Sequence, residues 1–212
     1  MPDETHYIHK MIAVTSRHYI RGCDEALAGN MRSQFQNLFT EKLFQVAGFH
    51  PKAIVIREKD MDPDAYFQLI RFVTGRFAEE GISTPLYLHS FIPSAPIPGI
   101  QGIHMPLSLL KQTMTSEPHA LAAFTEIGTS VHSIADVKEA EQLGASYCFA
   151  GNIWETTCKP GKKAAGLDFL SSVVLHSHIP VYAIGGVTVN KMPAILKTGA
   201  AGGCMMSGFF RD

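Results

Sequence analysis

The sequence predicts an α/β fold, a (β/α)8 or TIM barrel, on three observations. Short β-branched runs recur along the chain, each followed by a turn signal and a longer stretch of helical period, the pattern of repeated βα units. Eight such runs are present. Many are apolar on both faces, as strands are when helices cover one side and packed side chains fill the other. At 212 residues the chain suits a single barrel domain spanning 1–212.

The strands read in order as KMIAVTS from Lys10, KAIVIRE from Lys52, TPLYLHS from Thr84 and GIHM from Gly102. EIGTSVH from Glu126, ASYCFAG from Ala145, IPVYAIGG from Ile179 and AGGCMMSG from Ala201 complete the set. Between Asp62 and Glu80, Tyr66, Leu69, Ile70, Val73 and Phe77 lie at helical spacing and predict an amphipathic helix. The connection after strand three, FIPSAPIPGIQ, is too rich in proline for more than a degenerate turn. Only FFRD follows strand eight, so the last helix is short or missing, and that flank needs cover from another segment or subunit. A homo-oligomer is therefore expected. Pro193 sits awkwardly inside the helix expected after Thr188.

Charge excludes several partners. Lys and Arg number 18 against 19 Asp and Glu, and no basic cluster is dense enough for a nucleic acid or an anionic membrane. The first residues lack the pattern of a signal peptide, and no run approaches the roughly 18 apolar residues of a membrane span, so a cytoplasmic protein is expected. Cys23, Cys148, Cys158 and Cys204 have no CxxC spacing, which argues for reduced thiols rather than zinc or disulfides.

The chemistry gathers at strand ends. In GTSVHS, Ser133 and Asp136 have the spacing of a capping box, so a helix starts at Ser133, and Gly144 closes it. His132 then stands at the C-terminal lip of strand five, the end where barrels carry their active sites. Gly185 and Gly186 after strand seven, with Met206 and Ser207 after strand eight, place backbone N–H groups where many barrels bind phosphate. Taken alone, either stretch reads as a tight turn. Arg57 and Lys59, in IREKD at the end of strand two, can face a carboxylate or a phosphate from the mouth, or form a solvated rim. The long polar loop Gly151–Gly166 carries Glu155, Thr156, Cys158, Lys159, Lys162 and Lys163 and can act as a lid, although Lys162 and Lys163 read best as solvated. His89, His104 and His132 end different strands without ligand spacing, so no metal site is expected from them.

These stretches bear a family likeness. IREK, GIH, GTSVHS, IPVYAIGGVT and MMSGFF resemble, in order and spacing, the strand ends of the thiamine phosphate synthase and TenI superfamily. The resemblance implies a phosphate-binding barrel with one of two chemistries. The synthase branch joins a pyrimidine diphosphate to a thiazole phosphate with magnesium held by carboxylates near strands three and four. Here His89, Ser90 and Phe91 stand for that branch's Asn-Asp-Asp, Leu107, Ser108 and Leu109 for its Gln-Glu-Asp, and Val55 for a glutamine. A site lined by leucine does not hold a hard cation. The run from SVHS through Glu155, Thr156, Cys158 and Lys159 is more similar to the TenI-like thiazole tautomerases, which aromatise a carboxythiazole phosphate by moving a proton.

The resemblance thus implies an isomerase of thiamine biosynthesis, with no metal or redox cofactor. His132 would shuttle the proton, since histidine titrates near neutrality. Gly185, Gly186, Met206 and Ser207 would hold the phosphate of a thiazole phosphate. Arg57 or Lys59 would hold its carboxylate, Ser130 would line the same face, and Lys159 would close from the loop with Glu155 and Thr156. The alternatives are a thiamine phosphate synthase and a non-catalytic phosphate-ligand sensor of the same fold; Pro106, where the family often has glycine, favours the latter.

Overall fold

The protein is described by a computed structural model covering residues 4–156, 161 and 163–211. Eight parallel strands, each hydrogen-bonded to the next, close into a barrel when β8 pairs with β1. They are β1 (Met11–Val14), β2 (Ala53–Ile56), β3 (Leu86–His89), β4 (Ile100–Pro106), β5 (Glu126–Val131), β6 (Tyr147–Gly151), β7 (Val181–Ile184) and β8 (Gly202–Met205). All eight expected strands are present.

Alternation along each strand separates two cores. Ile12, Val14, Ala53, Val55, Tyr87, Tyr147, Phe149, Tyr182 and Cys204 fill the barrel interior. Ala13, Ile54, Ile56, Leu88, Ile103 and Met105 point outward into the larger core beneath the helices. The interior is crowded by large rings, and a glycine makes room for one of them. A Cβ at Gly128 would lie 2.0 Å from Cζ of Tyr147.

The outer layer follows from local signals. Two helices, α1 (Cys23–Ala28) and α2 (Arg32–Ala47), lie between β1 and β2, and α2 buries Phe35, Phe39, Leu43 and Val46 along one stripe. Helix α3 (Pro63–Glu79) buries the stripe read from the sequence. Asp62 caps it, accepting from the amides of Asp64 and Ala65, with Pro63 in the first turn where no donor is needed. Residues 90–99, between β3 and β4, contain no helix, as their prolines require. Next come α4 (Leu107–Ser116), α5 (Ile134–Gln142) and α6 (Gly166–Leu175).

The end of the chain resolves two expectations. After β7 the backbone first makes a 3₁₀ turn, Val189–Lys191, and α7 (Met192–Lys197) starts only then. Pro193 therefore falls in a first turn and removes no bond. The last helix, α8 (Ser207–Phe210), is a single turn that buries Phe209 and Phe210 and packs against α2, while Arg211 lies 5.0 Å from the Tyr19 ring centroid. The chain's own last turn thus covers this flank of the barrel. Among the described residues no helix is long and apolar enough to cross a membrane.

Candidate active site at the barrel mouth

The C-terminal ends of the strands form the mouth, and β5 supplies its middle. Ser133 caps α5 as expected, its hydroxyl accepting from the Asp136 amide at 3.1 Å and donating to Asp136 Oδ1 at 2.7 Å. The reciprocal contact differs from a standard capping box: Asp136 Oδ2 accepts from the backbone N–H of His132, at 2.7 Å, one residue ahead of the cap. That bond fixes the histidine's backbone. Its ring Nδ1 bonds the carbonyl oxygen of Gly151 on β6. A carbonyl only accepts, so Nδ1 donates there, and the imidazole is exposed.

A second wall runs along β2, β3 and β4. The register pairs Ile56 with Leu88 and His89 with His104, so Arg57, His89 and His104 follow one another around the inner face. Three anchors hold this wall. The buried Tyr66 on α3 donates from its hydroxyl to the Ile56 carbonyl at 2.7 Å and accepts from the His89 amide at 3.1 Å, tying two lips together. Ser90, at φ 64°, donates its amide to the His104 carbonyl and brings its hydroxyl to His89 Nδ1 at 2.9 Å. Ser130 Oγ meets His104 Nε2 at 3.0 Å.

The rings of this wall stack. His104 lies over Phe149 with centroids 4.0 Å apart, and His89 continues the stack at 6.0 Å from His104. Both imidazoles are held neutral. Burial, then the nearby Arg57 charge, pushes His89 down to about 4. Burial, then His89 and Arg57, pushes His104 well below its ordinary value.

Glu58, between Arg57 and Lys59, faces the other way. It is 2% exposed, accepts from the Thr15 hydroxyl at 2.6 Å and from the Arg17 amide, and pairs with the Arg17 guanidinium at 3.3 Å. Burial raises its pKa against these favourable contacts. Thr15 Oγ1 in turn accepts from the Arg57 amide at 2.8 Å. Arg17 also clasps Asp60 through both terminal nitrogens, at 2.7 and 2.6 Å, which holds Asp60 down at about 2. The acidic residue of IREKD thus locks the β1 and β2 ends together and leaves Arg57 at the mouth. The Arg57 guanidinium has no ion-pair partner among the described residues.

Across the mouth, the glycine pair after β7 is shaped by its neighbour. Gly185 and Gly186 have φ of 91° and 66°, and a Cβ on Gly185 would lie 2.4 Å from that of Asn152. The amides of Ile153 and Trp154 bond the carbonyls of Ile184 and Gly185 at 2.9 and 3.0 Å, so the segment after β6 lies directly on the turn. Lys191 braces it, donating to the Gly186 carbonyl at 2.6 Å with its ammonium 4.5 Å from the Trp154 ring centroid. Carbonyls are therefore consumed in packing, while the amides of Gly185, Gly186, Met206 and Ser207 meet no acceptor among the described residues.

The structure brings His132, Ser130, Arg57, Gly185, Gly186, Met206 and Ser207 to one end of the barrel. Lys59 is exposed two residues beyond Arg57, and Glu155 and Thr156 follow Trp154 over the glycine turn. Lys159, with Cys158 and Lys162, lies outside the described residues. Cys23, Cys148 and Cys204 are free and buried, which pushes the Cys23 and Cys148 thiols up to about 12 and makes them poor nucleophiles. Sequence reasoning missed Thr15, Arg17 and Tyr66, whose positioning contacts cross 41 residues or more in the case of Arg17 and Thr15 to Glu58.

The magnesium that the resemblance implies for the synthase branch does not fit these residues. Among the described residues no group of three or more His, Cys, Asp or Glu could hold a metal ion. The β3 and β4 lips present Ser90, Phe91, Leu107 and Leu109, and the carboxylate closest in sequence to the β2 lip is turned away to Arg17.

With this geometry in place, comparison with known proteins decides the family. The model described as thiamine monophosphate synthase matches residues 30–209. The chain belongs to the thiamine monophosphate synthase family. A putative thiamine-phosphate synthase 2 of Aquifex aeolicus is 27% identical over 81% of this chain and 89% of its own length. A thiamine-phosphate synthase of Caldivirga maquilingensis is 46% identical, but over 39% of this chain and 40% of that relative. A solved thiamine phosphate pyrophosphorylase from Pyrococcus furiosus superposes with a TM-score of 0.68 at 22% identity, covering 94% of this chain and 87% of that one, which supports the barrel.

These relatives correct the tautomerase expectation. The two curated relatives carry the synthase name, so the isomerase reading, and with it the proton-shuttle task given to His132, is withdrawn. The reason for the error is physical. A strand-end histidine and a glycine turn suit any reaction on a phosphate-bearing ring, and the run thought diagnostic of the tautomerases lies partly in residues 157–160, outside the described structure.

Proposed function

We propose that this protein is a thiamine-phosphate synthase, a transferase that joins a thiazole phosphate to a pyrimidine diphosphate. The observation that carries this reading is the presence of two separate anion-competent lips on one mouth. Arg57 and Lys59 follow β2, whereas the glycine pair and Met206–Ser207 follow β7 and β8, so in the closed ring β1 stands between the two lips. One lip offers the cationic side chains of Arg57 and Lys59, without an ion-pair partner among the described residues, and the other offers the amides of Gly185, Gly186, Met206 and Ser207. Two substrates, each with its own phosphate group, need two such places.

The amide cup suits the thiazole phosphate, since backbone N–H groups bind phosphate without a mobile side chain. The cationic lip suits the diphosphate. Beneath them the buried Phe149 and His104 rings stack as the floor of the mouth, and the exposed His132 stands at its edge, with Ser130 on the same strand. In the reaction the thiazole ring nitrogen attacks the carbon bearing the diphosphate. A C–N bond forms, the C–O bond breaks, and its electron pair leaves on the diphosphate oxygen. Holding both substrates at one mouth by their phosphates supplies the proximity that such a displacement needs.

A second reading is a phosphate-ligand sensor without turnover, favoured by the missing carboxylates on the β3 and β4 lips. One assay separates the two. Purified protein is given both substrates, with magnesium and with EDTA, and thiamine phosphate is measured beside binding of the thiazole phosphate. Formation of thiamine phosphate is expected; binding without any product in either condition would leave the sensor.

A further inference from the structure

We propose that Arg57 and His89 form an anion subsite that works without a metal, His89 contacting the anion directly where relatives of this fold are expected to use a carboxylate-held cation. The inference rests on the two-lip reading of the mouth and adds how the cationic lip meets its ligand.

Register carries the argument. Ile56 pairs with Leu88, which sets Arg57 and His89 side by side on adjacent strands, and strands in a sheet lie roughly 4.8 Å apart. Both continue the inward-facing series, after Val55 and Tyr87 respectively. Tyr66 bonds the Ile56 carbonyl and the His89 amide at once, so the two side chains leave from one rigid seam. Thr15, gripped by Glu58, fixes the Arg57 amide from the other side. This seam is braced from three elements before any ligand arrives, which is what a preorganised site requires.

The donor chemistry is equally specific. Ser90 brings its hydroxyl to Nδ1 of His89 at 2.9 Å; in the proposed subsite it donates there and the ring proton sits on Nε2. Nε2 meets no partner among the described residues. The ring also lies 6.0 Å from the His104 ring, at an interplanar angle of 25°. The Arg57 guanidinium is likewise unpaired, with the exposed Lys59 beyond it. A neutral imidazole N–H beside an unpaired guanidinium offers hydrogen bonds and positive charge together, the complement of a phosphate or diphosphate oxygen. An imidazole proton donor in this place has no use for a bridging cation.

The test uses inorganic pyrophosphate and isothermal titration of the full chain, in EDTA and then in magnesium. Binding in EDTA is expected, with magnesium changing the affinity less than about threefold. His89→Phe keeps the stack and removes the donor, and should weaken binding at least about tenfold, the effect of one lost hydrogen bond to a charged group. His89→Gln, which retains an N–H, should recover most of that loss. Should the phenylalanine variant not fold, the wild-type His89 ring resonance answers instead: a shift on adding pyrophosphate in EDTA is expected. Binding that vanishes in EDTA, an unchanged affinity in folded His89→Phe, or an unmoved ring resonance would each overturn the proposal. Turnover to thiamine phosphate is read separately. Turnover without metal-free binding removes the subsite and keeps the transferase; metal-free, His89-dependent binding without turnover does the reverse.

Discussion

The two lips of the mouth are built from different materials. The β7–β8 lip is made of backbone: two glycines at positive φ, a carbonyl-to-amide seam with the segment after β6, and free N–H groups aimed at the mouth. The β2–β3 lip is made of side chains, with Arg57 and His89 held by Tyr66, Thr15, Ser90 and the buried Glu58. The backbone lip offers its N–H groups whatever the surrounding side chains, so long as the glycines are kept. The side-chain lip can be rewritten residue by residue. General recognition and individual chemistry thus reside on different strands.

The largest expected effect breaks the side-chain lip at its root. Glu58→Ala removes one partner of a buried ion pair and leaves the Thr15 hydroxyl and the Arg17 amide without their acceptor. The cost should be about 3 kcal/mol, the low end for such a deletion, because Asp60 still holds Arg17. Urea unfolding measures it. Pyrophosphate affinity should fall with it, while thiazole phosphate binding at the far lip holds within about twofold. A loss below about 1 kcal/mol would show that the network is dispensable.

The backbone lip breaks differently. Gly185→Ala puts a Cβ where φ is 91° and the Asn152 Cβ is 2.4 Å away. Strain and overlap together should cost about 2 kcal/mol, less than the Glu58 change but placed on the cup itself. Here thiazole phosphate binding should be lost and pyrophosphate binding kept, the mirror image of the first variant. If both variants weaken both ligands equally, the mouth is one site rather than two.

How much of this was legible in the sequence depends on how far apart the causes lie. The eight strands, the α3 stripe and the Ser133 cap were read correctly because each rests on neighbours within one turn or one strand. The glycine turn was read for its amides, but its second reason, close packing of Asn152 and Trp154, needs the fold. Glu58 looked like part of a charged rim. Its task is set by Thr15 and Arg17, 43 and 41 residues away, and nothing local announces that. The histidines were noted one by one, whereas the His89–His104–Phe149 stack exists only because β3, β4 and β6 share a closed barrel. The choice between tautomerase and synthase failed for the same reason in reverse: a short run was allowed to outweigh the likeness of the whole chain.

The smallest effect sharpens the comparison through pH, because the backbone lip has nothing to titrate and the side-chain lip does. His89 is held near 4 in the folded protein against an ordinary value of 6.5. Above about pH 6.5 the ring is neutral whether the chain is folded or not, and it contributes no pH dependence. As pH falls from there towards 4, the unfolded chain takes up a proton that the fold refuses, so stability declines. The slope from this one group reaches at most about 1.4 kcal/mol per pH unit. His104, also held low, acts in the same sense, and Glu58, raised by burial, acts in the opposite one, so the total curve is a sum. The difference between wild type and His89→Phe isolates the single term. Urea unfolding at pH 7, 6 and 5 should show the variant losing less stability than wild type at each acid step. Saturating pyrophosphate should flatten the wild-type curve in turn, since an anion beside Arg57 removes part of the charge that keeps the His89 ring neutral. Parallel curves for the two proteins would place His89 in contact with solvent rather than in the wall.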